Sequence, residues 1–115
     1  MYESINCVRD ILLIAEKCTF QKPAYIQDVK ANLCDYFDSD IVNTCYELYN
    51  SGCINAVIKR HTENGTVVKQ IKGITPQGRI LLDKIRDMST LNTLKKQLPD
   101  IAFRAINVLI QQLLS

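Results

Sequence analysis

Few side chains in this sequence have the types and spacing that bond-making chemistry requires. The single histidine, His61, follows Arg60 and stands two residues before Glu63, with no serine or cysteine set by the sequence as a nucleophile for it to activate. It reads as a polar residue beside a turn. The five cysteines, Cys7, Cys18, Cys34, Cys45 and Cys53, are separated by ten, fifteen, ten and seven residues without a C-x-x-C pair, which is neither zinc spacing nor a disulfide frame. Scattered among apolar neighbours, they read as small buried hydrophobes of a reducing compartment. Asp28, Asp35, Asp38 and Asp40 lack the order, the central glycine and the closing glutamate of a calcium loop. Gly52, Gly65, Gly73 and Gly78 never approach the spacing of a phosphate loop. The chain is therefore expected to be non-enzymatic, with no cofactor and no metal.

Binding chemistry is better represented. Lys plus Arg is 14 and Asp plus Glu is 12 in 115 residues, and the formal charge of +2 is too small to announce nucleic acid. Its distribution says more. Residues 28–50 hold one base and five acids, a net of −4, whereas residues 51–86 hold seven bases and two acids, a net of +5. Lys59, Arg60, Lys69 and Lys72 flank Asn64-Gly65 and Arg79 follows, a set suited to phosphates or the minor groove. Upstream, Asn43 and Asn50 have the side chain that reads adenine and Thr44 one that meets a methyl or a phosphate, although Asp40 and Glu47 beside them repel the backbone. Asn43, Thr44, Lys59, Arg60, Lys69, Lys72 and Arg79 are the expected nucleic-acid-binding set. A second reading stays open, in which the acidic helices and basic strands are a polar surface for a protein partner.

The elements that must position these residues follow from periodicity. Ile5, Val8, Ile11, Leu12 and Ala15 recur at steps of three and four, predicting a helix over 4–17. Pro23 stops it, and a short helix over 26–34 offers Ile26, Val29 and Leu33. Asp38 or Ser39 is expected to cap a third helix with Ile41, Cys45, Leu48 and Gly52 as its buried stripe, closed by Gly52 in the left-handed conformation. The period then changes to two at Ile54, Ala56 and Ile58, and after Asn64-Gly65 a second strand carries Val67, Val68 and Ile71. Thr75-Pro76-Gln77-Gly78 opens a helix faced by Ile80, Leu81, Leu82 and Ile85. Further helices are predicted over 89–98 and 101–114, separated by Pro99.

The fold class expected is mainly α with a small two-stranded β-hairpin, a domain over 1–87 and a helical extension over 88–115. The last helix is so apolar that Ile106, Leu109 and Leu113 are expected either to pack on the domain or to form a homodimer interface. The longest apolar run, residues 11–15, is far below the ~20 residues of a membrane span, so a cytoplasmic protein without a membrane partner is expected.

Three helices, a hairpin and a helix behind it resemble the winged helix-turn-helix arrangement over residues 4–87. Ile74-Thr75-Pro76-Gln77-Gly78-Arg79-Ile80-Leu81-Leu82 is similar to the L-T-x-x-G-x-x-x-L segment of MarR- and PadR-type regulators. Gly52-Cys53-Ile54, Thr75-x-x-Gly78 and Leu82-Asp83-Lys84-Ile85-Arg86-Asp87 resemble a family of small Gram-positive bacterial and prophage proteins carrying T-x-x-G and F/L-L-D-x-I-R-D. Pro76 and Arg79 stand where that pattern has a large aromatic and a histidine. YjcQ-type phage-related proteins are the next nearest resemblance. What the resemblance implies is a winged-helix fold and a phage or mobile-element ancestry, without an activity of its own; DNA binding and transcription regulation are expected because most winged helices bind DNA, and the alternative is the same scaffold used to bind a host or phage protein.

Overall fold

The computed structural model describes residues 3–61, 65–86 and 111. Helix α1 (Glu3–Lys17) is the centre of the core, because Cys7, Val8, Ile11, Leu12 and Ala15 form one continuous apolar stripe and all are buried. Its end is turned by residues 19–22, where the Lys22 backbone N–H donates to both Thr19 O and Thr19 Oγ1. Pro23 then delivers the chain into strand β1 (Ala24–Tyr25), which no alternation in the sequence predicts because it is two residues long.

Helix α2 (Ile26–Asn32) buries Val29 and ends two residues earlier than periodicity suggests, with Leu33 leaving helical geometry as its C-cap. Helix α3 (Asp38–Asn50) corrects the expected capping: Phe37 occupies the cap position without a side-chain bond, and Asp38 and Asp40 lie inside the first turn. There they favour the helix through its positive end instead of by capping. At the other end Gly52 N–H donates to Tyr49 O and Cys53 N–H to Leu48 O, the Schellman pattern, with Gly52 at φ +75° as expected. Gly52 is exposed, so it terminates α3 without joining the buried stripe, which is Ile41, Thr44, Cys45 and Leu48.

Strands β2 (Ile54–His61) and β3 (Gly65–Ile74) pair antiparallel, and β1 adds to the free side of β3, giving the order β1-β3-β2. The sheet therefore has three strands, not two. Its register resolves a mismatch in the sequence. Ile54, Ala56 and Ile58 repeat every two residues, but their partners Ile74, Ile71 and Val68 repeat every three. Pairing steps over Lys72 and again over Lys69, so that two β-bulges return each β3 apolar residue to the core side.

Helix α4 (Pro76–Ile85) packs Leu81, Leu82 and Ile85 on α1, while Ile80, expected on that face, is 54% exposed. The result among the described residues is four helices and a three-stranded antiparallel sheet around one core. The expected helices over 89–98 and 101–114, and with them Ile106, Leu109 and Leu113, lie outside the described residues. No helix among those described is long and apolar enough to cross a membrane.

Candidate nucleic-acid interface

On α3 two of the three expected base-reading side chains are available. Asn43 and Asn50 are exposed. Thr44 is not: it is 1% exposed, its hydroxyl donates to Asp40 O at 2.6 Å, and it hydrogen-bonds the Cys7 thiol on α1. The expectation that Thr44 faces outward is corrected, since a residue three after Ile41 and four before Leu48 falls on the packed side of a 3.6-residue helix. The outward side of α3 keeps Asp38, Asp40 and Asn43, and Phe37 stands 78% exposed at its entrance. Lys30 lies close to this acidic end, 3.9 Å from Asp38.

The strands arrange their bases differently. Ala24, Ala56 and Ile58 pack against the core, so Tyr25, Val57 and Lys59 belong to the opposite, outward side of the sheet. Lys59 and Lys69 are exposed, and none of Lys59, Lys69 and Lys72 has an ion-pair partner among the described residues. Lys69 and Lys72 are the two residues over which the pairing steps. Arg60 continues β2 opposite Thr66. Arg79 is set apart from this group: its guanidinium lies 3.9 Å from Glu16 on α1, where Arg86 also binds at 2.6 Å. The structure thus gathers Lys59, Arg60, Lys69 and Lys72 on two paired strands and turns Arg79 toward α1.

Two aromatic residues missed by the sequence reading join the lysines. The Lys72 ammonium lies 5.7 Å from the centroid of the Phe20 ring, and Tyr25 pairs with Gln70. Phe20 is 69% and Tyr25 51% exposed. Both flank Pro23 outside any apolar period, and that lack of periodicity was the only available signal.

The Thr75-x-x-Gly78 segment has a different role. Thr75 Oγ1 accepts from Gly78 N–H at 3.0 Å and donates to Gly52 O at 2.6 Å, Thr75 N–H donates to Cys53 O, and Gln77 Nε2 donates to Ser51 O. A Cβ at position 78 would stand 2.0 Å from Cys53 O. These contacts lock the start of α4 onto the end of α3. A family model described as hypothetical protein (DUF2513) matches residues 3–103, which include this junction and every described strand and helix. The chain belongs to the DUF2513 family. No curated protein and no solved structure matches it.

Among the described residues of this DUF2513 chain, no three His, Cys, Asp or Glu side chains are grouped to hold a metal. Burial pushes the thiols of Cys7 and Cys53 up to about 11 and that of Cys45 to about 12, the Thr44 hydrogen bond opposing the rise at Cys7. Thiols so protonated are poor nucleophiles. Burial and the Asp10 carboxylate, which accepts from Tyr36 Oη at 2.8 Å, push the Tyr36 phenol upward as well. An open cleft of about 460 Å³ beside them, floored by Leu13, Ile14, Ala24 and Leu33, carries Lys17 and Lys22 among its lining.

Proposed function

We propose that this protein is a winged-helix DNA-binding regulator whose wing, strands β2 and β3, makes the principal contact with phosphate. The order helix, strand, helix, helix, strand, strand and the sheet order β1-β3-β2 support the winged-helix reading. The observation that carries the function is the contrast in charge: Lys59, Lys69 and Lys72 on the strands, with no ion-pair partner among the described residues, against Asp38 and Asp40 on α3. Phosphate affinity follows the number of cations brought to the backbone, so a helix carrying exposed acids contributes little of it. Asn43 and Asn50 are the expected base contacts left on α3.

Fluorescence anisotropy with random-sequence duplex tests this reading. Binding is expected at about 50 mM salt and should weaken as salt rises, because counterion release drives such contacts. Lys69→Glu with Lys72→Glu should abolish it and leave the thermal midpoint nearly unchanged. A flat titration for the wild-type chain at low salt defeats the duplex reading.

A second reading, a protein-binding module, is favoured by one feature. Phe37 is exposed between Asp35 and Asp38 at the turn joining α2 to α3, an apolar anchor with an acidic rim that suits a basic partner.

A further inference from the structure

We infer that the outward side of the sheet and its β1 edge form a stacking surface for unpaired nucleic-acid bases, with Phe20 and Tyr25 as the platforms and Lys59, Lys69 and Lys72 as the phosphate contacts. The inference rests on the proposed wing contact for its lysines and goes beyond it in the aromatic residues and in the state of the nucleic acid. Duplex DNA keeps its bases stacked on one another, so exposed rings gain nothing from it. Single strands offer free base faces, and any base can use them.

Four observations converge on this surface. Phe20 and Tyr25 are two of the three aromatic rings left more than half exposed among the described residues, the third being Phe37. Each ring is tied to β3: Phe20 lies against the Lys72 ammonium and Tyr25 is in register with Gln70, two residues further back along the strand. The separation of Gln70 and Lys72 along a strand is about 6 to 7 Å, a distance comparable to the spacing of successive bases in an extended strand. The pairing steps over Lys69 and Lys72, so β3 carries two additional residues there, and both are cations without an acidic partner among the described residues.

The arrangement of rings alternating with cations is that of a sequence-tolerant single-strand site: lysines track the backbone while aromatic faces hold bases. Lys72 serves both functions in turn. Resting on the Phe20 ring in the unbound chain, its ammonium is held by a weak attraction of about 0.5–1 kcal/mol at an exposed site, small enough to exchange for a phosphate as a base takes the ring face. The face presents no acidic side chain among residues 54–61 and 65–74, so nothing on these strands opposes the phosphates.

Labelled 15-nucleotide oligomers of dT and of rU, and a random-sequence duplex, titrated against the whole chain at about 50 mM salt, provide the test. Both single strands should bind more tightly than the duplex. The chain has no tryptophan and five tyrosines, so quenching of tyrosine fluorescence that disappears in Tyr25→Ala provides a second readout. Phe20→Ala and Tyr25→Ala should each lower single-strand affinity by roughly 5- to 100-fold, the range for one lost stacked base, with duplex affinity within about twofold of wild type. Tyr25→Phe, which keeps a ring, should bind like wild type and controls for any disturbance of the β1 edge. If duplex binds and the aromatic variants leave single-strand affinity unchanged, the stacking surface is refuted while the wing contact stands. If neither form binds, both fail together.

Discussion

At the junction of α3 and α4, Thr75 and Gln77 are fastened to residues 51–53 by three hydrogen bonds, and Gly78 adds one close backbone approach. A few residues earlier in the chain, Lys69 projects from a bulge into solvent, Lys72 lies against the face of an exposed ring, and Tyr25 beside them is half exposed. The first region has the sharper sequence motif and the second has almost none. Its motif is sharp because geometry permits one residue type at 78 and few at 75. Side chains that meet a partner in solution leave no such trace, since nothing within the fold dictates their spacing. The residues most easily noticed in this chain are therefore architectural, and the candidates for function are the ones left unpaired.

Gly78→Ala should break the junction and is expected to have the largest effect. The new methyl would stand 2.0 Å from a carbonyl oxygen and 2.9 Å from its carbon, both of them backbone atoms that no rotamer change can move aside. Overpacking of this kind costs about 3 kcal/mol or more, and urea denaturation should register the loss as a lower midpoint. Gly73→Ala sharpens the contrast. There the methyl would meet Cys18 O at 3.6 Å, an ordinary contact, and relief of glycine's chain entropy offsets it, so stability should stay within about 1 kcal/mol of wild type.

Much of the fold was legible. The α1 stripe, the left-handed Gly52, the hairpin strands and the Thr75 cap are each fixed by local chemistry that a single sequence displays. Strand β1 was not legible because two residues carry no period, and its existence depends on β3 offering a free edge. The bulges escaped notice for a related reason: Val68 and Ile71 are out of phase for a regular strand, and only the partner's register reveals that two lysines absorb the difference. In the candidate site the strand lysines were readable from charge alone. Thr44 was misassigned because threonine is equally at home on either side of a helix once its hydroxyl can return to the carbonyl four residues back.

The pH response tests the core behind both regions. Burial raises Cys7, Cys53 and Cys45 above the ordinary value of 9.0, to about 11, 11 and 12. A raised folded-state value means the folded chain holds its protons where the unfolded chain releases them, so this stability is complete below pH 9 and is lost as pH climbs toward 11 to 12. The thermal midpoint should fall across that window. Replacing Cys7 and Cys53 with alanine should flatten the fall, whatever those changes do to the midpoint at pH 7.

Thr75→Ala returns to the junction with a smaller perturbation. It removes the cap on Gly78 N–H and the bond to Gly52 O while adding no clash, and a lost threonine cap costs about 1 kcal/mol. Thr75→Ser keeps both bonds and should recover most of that loss. A drop as large as that of Gly78→Ala would mean that hydrogen bonding, not the close approach, is what secures α4.

The smallest effect on stability is expected for Arg79→Gln, and it places Arg79 in one region or the other. Its side chain is 59% exposed and 3.9 Å from Glu16, a loose pair, and Arg86 at 2.6 Å keeps that carboxylate partnered when Arg79 is neutral. Exposed pairs of this kind are worth less than about 1 kcal/mol, so the urea midpoint should scarcely move. Binding discriminates. A lysine that contacts phosphate, such as Lys69, should reduce the slope of log affinity against log salt by about one when changed to glutamine. Arg79, its charge already shared with Glu16 on the seam between α1 and α4, should leave that slope as it was. A reduction equal to that of Lys69→Gln would return Arg79 to the proposed contact surface and extend that surface onto α4.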